Sequence, residues 1–224
     1  MPITNITLSF LQDIADNNNR EWFENNKERY LVAQQEMKSF HGSLANLMTS
    51  HDQITKGRVY RIYRDVRFSK DKTPYKNNWG GGFQRETHYL RGGYYYQIQP
   101  GNSFAAGGFF GPNSQDLLHI RKQIQQEPDR LKELLTGKEF VSTFGELKGE
   151  QVKTAPKGFS KDDPAIELLR YKQLYVERHF TDEDVLDPDF GENLSAVFAK
   201  MRPYFDYMSE ILTTDLNGEE LITG

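Results

Sequence analysis

The 224-residue sequence predicts an α+β protein in which an antiparallel or mixed sheet from the middle of the chain packs with N- and C-terminal helices. Apolar residues near both ends recur at spacings of three and four, which is the period of a helix. Residues 58–110 instead alternate segments rich in β-branched and aromatic residues with glycine-rich turns. These segments come in runs rather than in alternation, so α+β is favoured over a doubly wound fold. The length suits a single domain over residues 1–224.

Two helices are predicted in the first fifty residues. The first covers residues 7–15 and ends at three consecutive asparagines. Asn18 is expected to cap the second helix, with Glu21 at the capping-box position. The second helix carries one apolar stripe, which we expect to pack in the core rather than to line a site. The stripe consists of Tyr30, Ala33, Met37, Phe40, Leu44 and Leu47.

The strands are predicted at residues 60–66, 94–99 and 104–110, and the last two are joined by a turn at Pro100-Gly101-Asn102. Helices are then expected from Ser114 to Pro128 and around Leu131. A further helix should begin at Asp163-Pro164, with proline in its first turn. The segment LYVERHF (residues 174–180) is typical of a strand, and residues 188–212 of a helix that is bent or broken near Pro203.

Several classes of protein are disfavoured by composition. The chain has no cysteine, so disulfide frameworks and thiolate metal sites are excluded. The N-terminus lacks a basic start followed by an apolar run, and no segment has the length of a membrane span, so we expect a cytoplasmic protein without membrane contact. The five histidines show no metal-ligand spacing, and no nucleotide-binding glycine pattern occurs. No metal or cofactor is therefore predicted.

Positive charge is concentrated in residues 58–91. This stretch holds nine Lys and Arg against three acidic residues, a local charge of +6 that leaves −10 for the rest of a chain whose total is −4. On an extended strand, Arg64 would lie in the middle of an otherwise apolar face. A covered guanidinium needs an acceptor, which is either a protein carboxylate or an anionic ligand. The sequence leaves both alternatives open.

The basic strand leads into the loop SKDKTPYK (residues 69–76), where hydroxyls, lysines and a proline suit a bend that binds an anion. A second segment, FSKDDP (residues 159–164), resembles this loop, so Lys157 is a further candidate. Asp65 is the candidate catalytic carboxylate, because neighbouring arginines would keep it ionised. The candidate ligand-binding residues are Arg61, Arg64, Arg67, Lys70, Lys72, Tyr75, Lys76, Trp79, Tyr95 and Lys157.

Several of these motifs together resemble a known family. They are NNREWF (residues 18–23), Tyr30, RDVRFSKDKTPYK (residues 64–76), PKGF (residues 156–159) and Asp163-Pro164. The chain is similar, over nearly its whole length, to a mostly bacterial family catalogued as domain of unknown function number 2461. The resemblance implies a compact α+β domain. It implies no activity, cofactor or catalytic residue.

Three functions are consistent with these observations. The first is a binding or enzymatic domain that holds a phosphorylated or carboxylated small molecule in a basic, aromatic-lined cleft. The second is a nucleic-acid module, in which cations track phosphates and aromatic rings stack bases, although the negative remainder of the chain opposes a long footprint. The third is a scaffold protein whose arginines are all paired with its own carboxylates. The sequence does not indicate an oligomeric state.

Overall fold

The computed structural model describes residues 2–55 and 57–221. Within these residues the chain forms nine helices and five strands, and the predicted α+β class is confirmed. The helices are α1 (Asn5–Asp16), α2 (Arg20–Asn25), α3 (Lys27–Met48), α4 (Ser114–Gln126), α5 (Pro128–Thr136), α6 (Lys138–Phe144), α7 (Ile166–Leu169), α8 (Asp182–Leu186) and α9 (Phe190–Thr213). The strands are β1 (Arg58–Val59), β2 (Trp79–Gln84), β3 (Gly93–Ile98), β4 (Ser103–Phe109) and β5 (Leu174–Phe180).

The strands form one antiparallel sheet in the order β1-β2-β3-β4-β5, so neighbours along the chain are neighbours in the sheet. The chain groups into two compact units. One comprises the described residues of Met1–Gln84 with Tyr94–Ala105 and His179–Phe198. The other comprises Arg85–Gly93, Ala106–Arg178 and the described residues of Ala199–Gly224. A single domain over the whole chain stays a prediction. Among the described residues, no helix has the length and apolar character needed to cross a membrane.

The N-terminal helices differ from the predicted pattern in two respects: the predicted second helix is divided at Asn26 into α2 and α3, and α2 has a different cap. α2 is capped by Asn19, whose Oδ1 accepts a hydrogen bond from the backbone of Trp22 at 2.9 Å. The prediction that Asn18 caps this helix is therefore wrong. The side chain of Asn18 instead bonds to the backbone of Tyr75. Three consecutive asparagines offer equivalent caps locally, and a tertiary partner decides which one is used.

The apolar stripe of α3 lies in the core, as predicted. Phe40 is completely covered and packs against the rings of Tyr96 and Phe190. Leu47 is only half-buried, and Met48 takes the buried position at the end of the helix. The buried members of the stripe are Tyr30, Ala33, Met37, Phe40 and Leu44.

The strand predicted at residues 60–66 is wrong, because β1 covers Arg58–Val59 and none of the predicted residues. β1 ends at Val59. The backbone of residues 60–66 pairs with other segments through single hydrogen bonds and through an isolated antiparallel bridge between Tyr63 and Tyr75. Pro74 stands next to that bridge and has no N–H to donate, so a regular ladder cannot continue past it. The predicted strands at 94–99, 104–110 and 174–180 are confirmed as β3, β4 and β5.

The three consecutive glycines lie in β2, where tyrosine rings replace the missing side chains. A Cβ atom on Gly80 would stand 2.7 Å from Oη of Tyr95, and one on Gly81 would stand 2.5 Å from the ring of Tyr96. Both approaches are shorter than side-chain contacts allow. The glycines are needed for close packing of the sheet rather than for a phosphate loop.

The second unit contains helices that the sequence predicts with mixed success. α4 and α5 are confirmed, and Pro128 occupies the first turn of α5. α7 begins at Ile166 rather than at Asp163-Pro164, because Asp163 accepts a hydrogen bond from Ala165 N and forms a turn. α6 was not predicted. α9 continues through Pro203 without a break.

A buried arginine organises part of this second unit. The side chain of Arg85 has no exposed surface, and its Nη2 donates to Oδ1 of Asp206 at 2.6 Å. Its Nη1 donates to Oγ of Ser209 at 3.2 Å, and the same hydroxyl accepts from the backbone N–H of Arg91. Arg85 therefore joins the segment after β2 to α9 within the unit.

Candidate functional site

An open groove of about 730 Å³ lies in the first unit, along the residues that follow β1. Four cations line it together with a single carboxylate, that of Asp65. The cations are Arg58, Arg61, Arg64 and Lys76. Positive charge thus exceeds negative charge in the wall of a concave surface.

Backbone pairing brings the separate cations together. Arg64 N donates to Pro74 O at 2.9 Å, and Lys76 N donates to Ile62 O at 2.7 Å. These bonds flank the bridge between Tyr63 and Tyr75 and place Lys76 beside the arginine-bearing segment. The loop between them, residues 66–73, overlaps the bend predicted at residues 69–76, but it does not bring Lys70 and Lys72 to the groove.

Arg64 is held at one nitrogen only. Its Nη1 donates to the carboxylate of Asp71 and to the hydroxyl of Thr73. Its Nε and Nη2 have no hydrogen-bond partner among the described residues. The acceptor that the sequence left open is thus a protein carboxylate, but the second edge of the guanidinium is available, and the side chain keeps 27% of its surface exposed.

The Asp71 carboxylate is the anchor of this arrangement. The hydrogen bond from Arg64 lowers the pKa of Asp71 to about 2, and bonds from Thr73 N and Thr73 Oγ1 act in the same direction. Thr73 N lies 2.9 Å from Oδ1 of Asp71. Asp71 is therefore ionised at neutral pH and fixes the position of the Arg64 head group.

Arg61 and Lys76 lack such an anchor. Among the described residues, no carboxylate lies within ion-pair distance of either side chain, and both are exposed. Arg58 lies with its guanidinium carbon 5.1 Å from the ring centre of Tyr60. This cation–π contact positions the arginine without neutralising its charge.

The carboxylate in the groove is already engaged. Asp65 accepts from Nε of Arg67 at 2.9 Å and from Nη2 of Arg67 at 2.6 Å. These bonds, with a smaller contribution from Arg61, hold the pKa of Asp65 below its ordinary value, so the group is ionised. Arg67 does not itself line the groove. It engages Asp65, so the only groove cation that pairs with a carboxylate among the described residues is Arg64, through Asp71.

An aromatic cluster forms the groove wall at Tyr63. The ring of Tyr63 meets those of Phe23, Tyr30 and Tyr75 at centroid distances of 5.6, 6.1 and 5.4 Å, all edge-to-face. Tyr63 nevertheless keeps 41% of its surface exposed. The surrounding rings therefore fix its position while part of the ring remains accessible.

A smaller depression of about 280 Å³ adjoins the groove and shares Arg64 and Lys76 with it. Its other polar side chains include the carboxamides of Asn18, Asn77 and Asn78. Asn18 is occupied, because its Nδ2 donates to Tyr75 O at 2.9 Å and its Oδ1 accepts from Tyr75 N at 3.1 Å. Asn77 and Asn78 have no hydrogen-bond partner among the described residues.

The structure brings together some of the candidate site residues and separates others. Arg61, Arg64, Asp65 and Lys76 line the groove, and Tyr75 lines the smaller depression. The remaining candidates lie elsewhere. They are Arg67, Lys70 and Lys72 on the exposed loop, Trp79 and Tyr95 in or near the sheet, and Lys157 on an exposed turn of the second unit.

The two aromatic candidates that do not line the groove make packing contacts within the protein. Trp79 is buried and stacks on Tyr30 at 5.6 Å, and Tyr95 packs over Gly80. On the loop, Lys72 Nζ donates to Val66 O at 2.9 Å, and Phe68 is 96% exposed. Within residues 2–55 and 57–221, no three acidic or histidine side chains are grouped to hold a metal ion.

Arg58, Tyr60 and Tyr63 are groove residues that the sequence analysis missed. Strand alternation assigns Arg61 and Arg64 to opposite faces, so the prediction that both bind one ligand required a bend after Phe68, whereas the structure brings both to the groove within residues 61–64. The segment RVYRIYR repeats arginine every third residue, with tyrosine at the same spacing. A period of three does not match a flat strand, whose side chains alternate with a period of two. This repeat was the feature of the sequence that indicated that residues three apart lie on one side.

The fold and the groove define an α+β protein with a cationic, aromatic-lined surface in its first unit. A family model described as "Conserved hypothetical protein (DUF2461)" matches residues 6–207, and the chain belongs to this family. The resemblance noted in the sequence is thereby confirmed. No curated protein and no solved structure matches the chain. The matched region contains every groove residue.

Proposed function

We propose that the groove binds an anionic small molecule that carries a phosphate or a carboxylate. The observation that supports this is the imbalance of charge: four cations line the groove, and its one carboxylate is engaged by Arg67. Arg61 and Lys76 have no carboxylate partner in the described part of the chain. The proposal includes a location in the bacterial cytoplasm, with which the cysteine-free sequence is compatible.

Electrostatics favour a bound anion at this position. Like charges gathered on one concave surface repel each other, and the walls of a groove reduce screening by water. An anion removes this repulsion and accepts hydrogen bonds from the guanidinium groups. Arginine and lysine both recognise phosphate and carboxylate, and arginine does so with two parallel bonds.

The scaffold alternative is less well supported. It requires that the cations of the basic stretch be satisfied by the protein's own carboxylates. Arg64 and Arg67 meet this requirement in part through Asp71 and Asp65. Arg61 and Lys76 do not, and they line the same groove.

The proposal is tested by thermal denaturation in the presence of phosphorylated and carboxylated compounds. A ligand of the native state raises apparent stability, by about 2.7 kcal/mol at a hundred times its Kd. We expect positive compounds to bind by calorimetry. Arg61→Gln and Lys76→Gln should each weaken this binding about tenfold, because each removes a charge-assisted contact.

Lys70→Gln is the matched control, since Lys70 is an exposed cation of the neighbouring loop that does not line the groove. It should bind as the wild type does. Equal losses in all three variants would show that anions are attracted to the basic stretch as a whole. Binding that is unchanged in Arg61→Gln and Lys76→Gln would refute the groove as the site.

Asp65 is the candidate general base if the bound molecule is transformed. It is ionised, and a carboxylate has acceptor positions beyond those that Arg67 occupies. Each ligand found by calorimetry should be incubated with wild type and with Asp65→Asn, and the products identified. A catalytic role predicts turnover by the wild type that is lost in Asp65→Asn while binding persists.

A further inference from the structure

We propose that the anion is the phosphodiester of a nucleotide, held by Arg64 and Lys76 with a base against Tyr63. This inference rests on the proposed function of the groove and specifies its ligand. Three observations support it. Nε and Nη2 of Arg64 are unpaired among the described residues, Arg64 and Lys76 line both the groove and the smaller depression, and different side chains line these two spaces.

The available edge of Arg64 suits a phosphate with two free oxygens. Asp71 and Thr73 occupy Nη1, whereas Nε and Nη2 have no partner in the described part of the chain. These two nitrogens form one side of the planar guanidinium and donate two parallel hydrogen bonds. The two non-bridging oxygens of a phosphodiester accept such a pair.

The position of Arg64 and Lys76 favours a group with substituents on both sides. Both side chains line the groove of about 730 Å³ and also the depression of about 280 Å³. An anion bound by them has space on two sides. A carboxylate or a terminal phosphate continues in one direction only, whereas a phosphodiester continues in two.

The larger space offers an aromatic surface. Tyr63 is fixed by three neighbouring rings and remains partly exposed, and Tyr60 lines the same groove. Nucleobases stack on aromatic side chains irrespective of sequence, because every base has a π-face. A nucleobase is therefore the group that matches this side.

The smaller space offers neutral hydrogen-bonding groups beside the Asp71 carboxylate, which is paired with Arg64. The carboxamides of Asn77 and Asn78 line it and have no partner among the described residues. A carboxamide both donates and accepts, which suits sugar hydroxyls and base edges. The second nucleoside of a phosphodiester presents these groups.

The test compares five probes by calorimetry at fixed ionic strength. They are inorganic phosphate, thymidine monophosphate, the dinucleotide dTpdT, a ten-residue oligothymidylate and an abasic oligonucleotide of the same length. We expect dTpdT to bind about tenfold more tightly than thymidine monophosphate. The dinucleotide carries one charge, whereas a phosphomonoester carries up to two, so charge alone predicts the opposite order.

Variants locate the ligand. Tyr63→Leu should weaken dTpdT about tenfold through loss of one base stack and leave inorganic phosphate unchanged, whereas Tyr63→Phe should behave as the wild type. Lys70→Gln is the charge control. If Tyr63→Leu does not fold, Asn77→Ala and Asn78→Ala serve instead, and they should weaken dTpdT but not phosphate.

The outcomes separate this inference from the proposed function. If anions bind in an Arg61-dependent manner but dTpdT binds no better than thymidine monophosphate, the phosphodiester inference is refuted and the anion site stands. If no anion binds the wild type, both fail. An abasic strand that binds as tightly as oligothymidylate refutes the base contact.

The longer probe identifies the source of the phosphodiester, and both results support the inference. Oligothymidylate that binds much more tightly than dTpdT, with an affinity that falls steeply with salt, indicates a single strand. Equal affinity for the two indicates a small dinucleotide-like molecule.

Discussion

Arg85 and Arg64 show two different uses of the same side chain. Arg85 is fully buried and donates from two nitrogens to acceptors of its own unit. Arg64 is partly exposed, lines the groove and is held at a single nitrogen, Nη1. The first arginine contributes to folding. The second is held in place by Asp71 and Thr73 and keeps two nitrogens unpaired among the described residues.

The difference shows that pairing with a carboxylate does not by itself make an arginine structural. Both side chains have a carboxylate partner, Asp206 in one case and Asp71 in the other. Burial and the number of donors in use distinguish them. An anchored but incompletely used guanidinium is pre-organised, so less entropy is lost when it binds a ligand.

The largest expected effect is on stability, in the buried case. Arg85→Ala should lower the free energy of unfolding by about 3 kcal/mol, because it leaves a cavity and removes donors to Ser209 and Asp206. Urea denaturation measures this loss. Arg130→Ala is the control, since Arg130 makes an exposed pair with Glu210 that should contribute at most about 1 kcal/mol. If both variants lose the same free energy of unfolding, burial does not distinguish a structural arginine from an exposed one.

A second prediction tests whether the glycines belong to the packed region. Gly81→Ala should cost about 1–3 kcal/mol, because its Cβ meets the buried ring of Tyr96. Gly42→Ala, in the exposed middle of α3 with no atom near the new Cβ, should instead stabilise by about 0.5–1 kcal/mol. Thermal denaturation gives both values. If Gly81→Ala leaves the free energy of unfolding unchanged but impairs anion binding, the glycines belong to the anion site rather than to the packed region.

The third prediction concerns Arg64 itself. Arg64→Met should change the free energy of unfolding by less than about 1 kcal/mol, since its ion pair is exposed. The same change should weaken anion binding about tenfold or more, because a bidentate donor is lost. Calorimetry and urea denaturation of one preparation separate the two effects. Substantial unfolding of Arg64→Met would make this arginine structural.

The smallest expected effect is a titration. The pKa of Asp71 is about 2, below its ordinary value of 3.8. A carboxyl whose folded-state pKa is lowered adds stability above the unfolded-state pKa and loses it as pH falls through the folded one. The Arg64–Asp71 contact should therefore weaken from about pH 4 to pH 2. Carbon NMR of the Asp71 carboxyl should show a midpoint near 2 that rises in Arg64→Met.

Most of the fold could be predicted from local sequence, whereas half of the site could not. Helical spacing and β-branched content determine elements such as α3 and β5 because their own residues supply the signal. The first strand ends at Val59, and the segment after it pairs at Tyr63 with Tyr75, a residue distant in sequence. Asn18 and Asn19 are equivalent caps until Tyr75 bonds one of them. Such outcomes are decided by partners distant in sequence.

The candidate site shows the same limit. Composition indicates that cations collect in one stretch, and Arg61, Arg64 and Lys76 are brought to one groove. Whether an aromatic residue there lines a groove or lies in the core depends on the strand that packs on it. The candidate Trp79 is buried, whereas Tyr63, which was not a candidate, lines the groove. Only the three-residue repeat of RVYRIYR carried that information.

The side chain of Asn18 acts as a short piece of β-strand. Its carboxamide donates to the carbonyl and accepts from the N–H of Tyr75, as a neighbouring backbone would. The linker between α1 and α2 therefore braces the segment that carries Lys76. A protein engineered to begin after this linker would keep all four groove cations and lose the brace. Any minimal version of the groove that keeps this brace must include Asn18 and the linker that carries it.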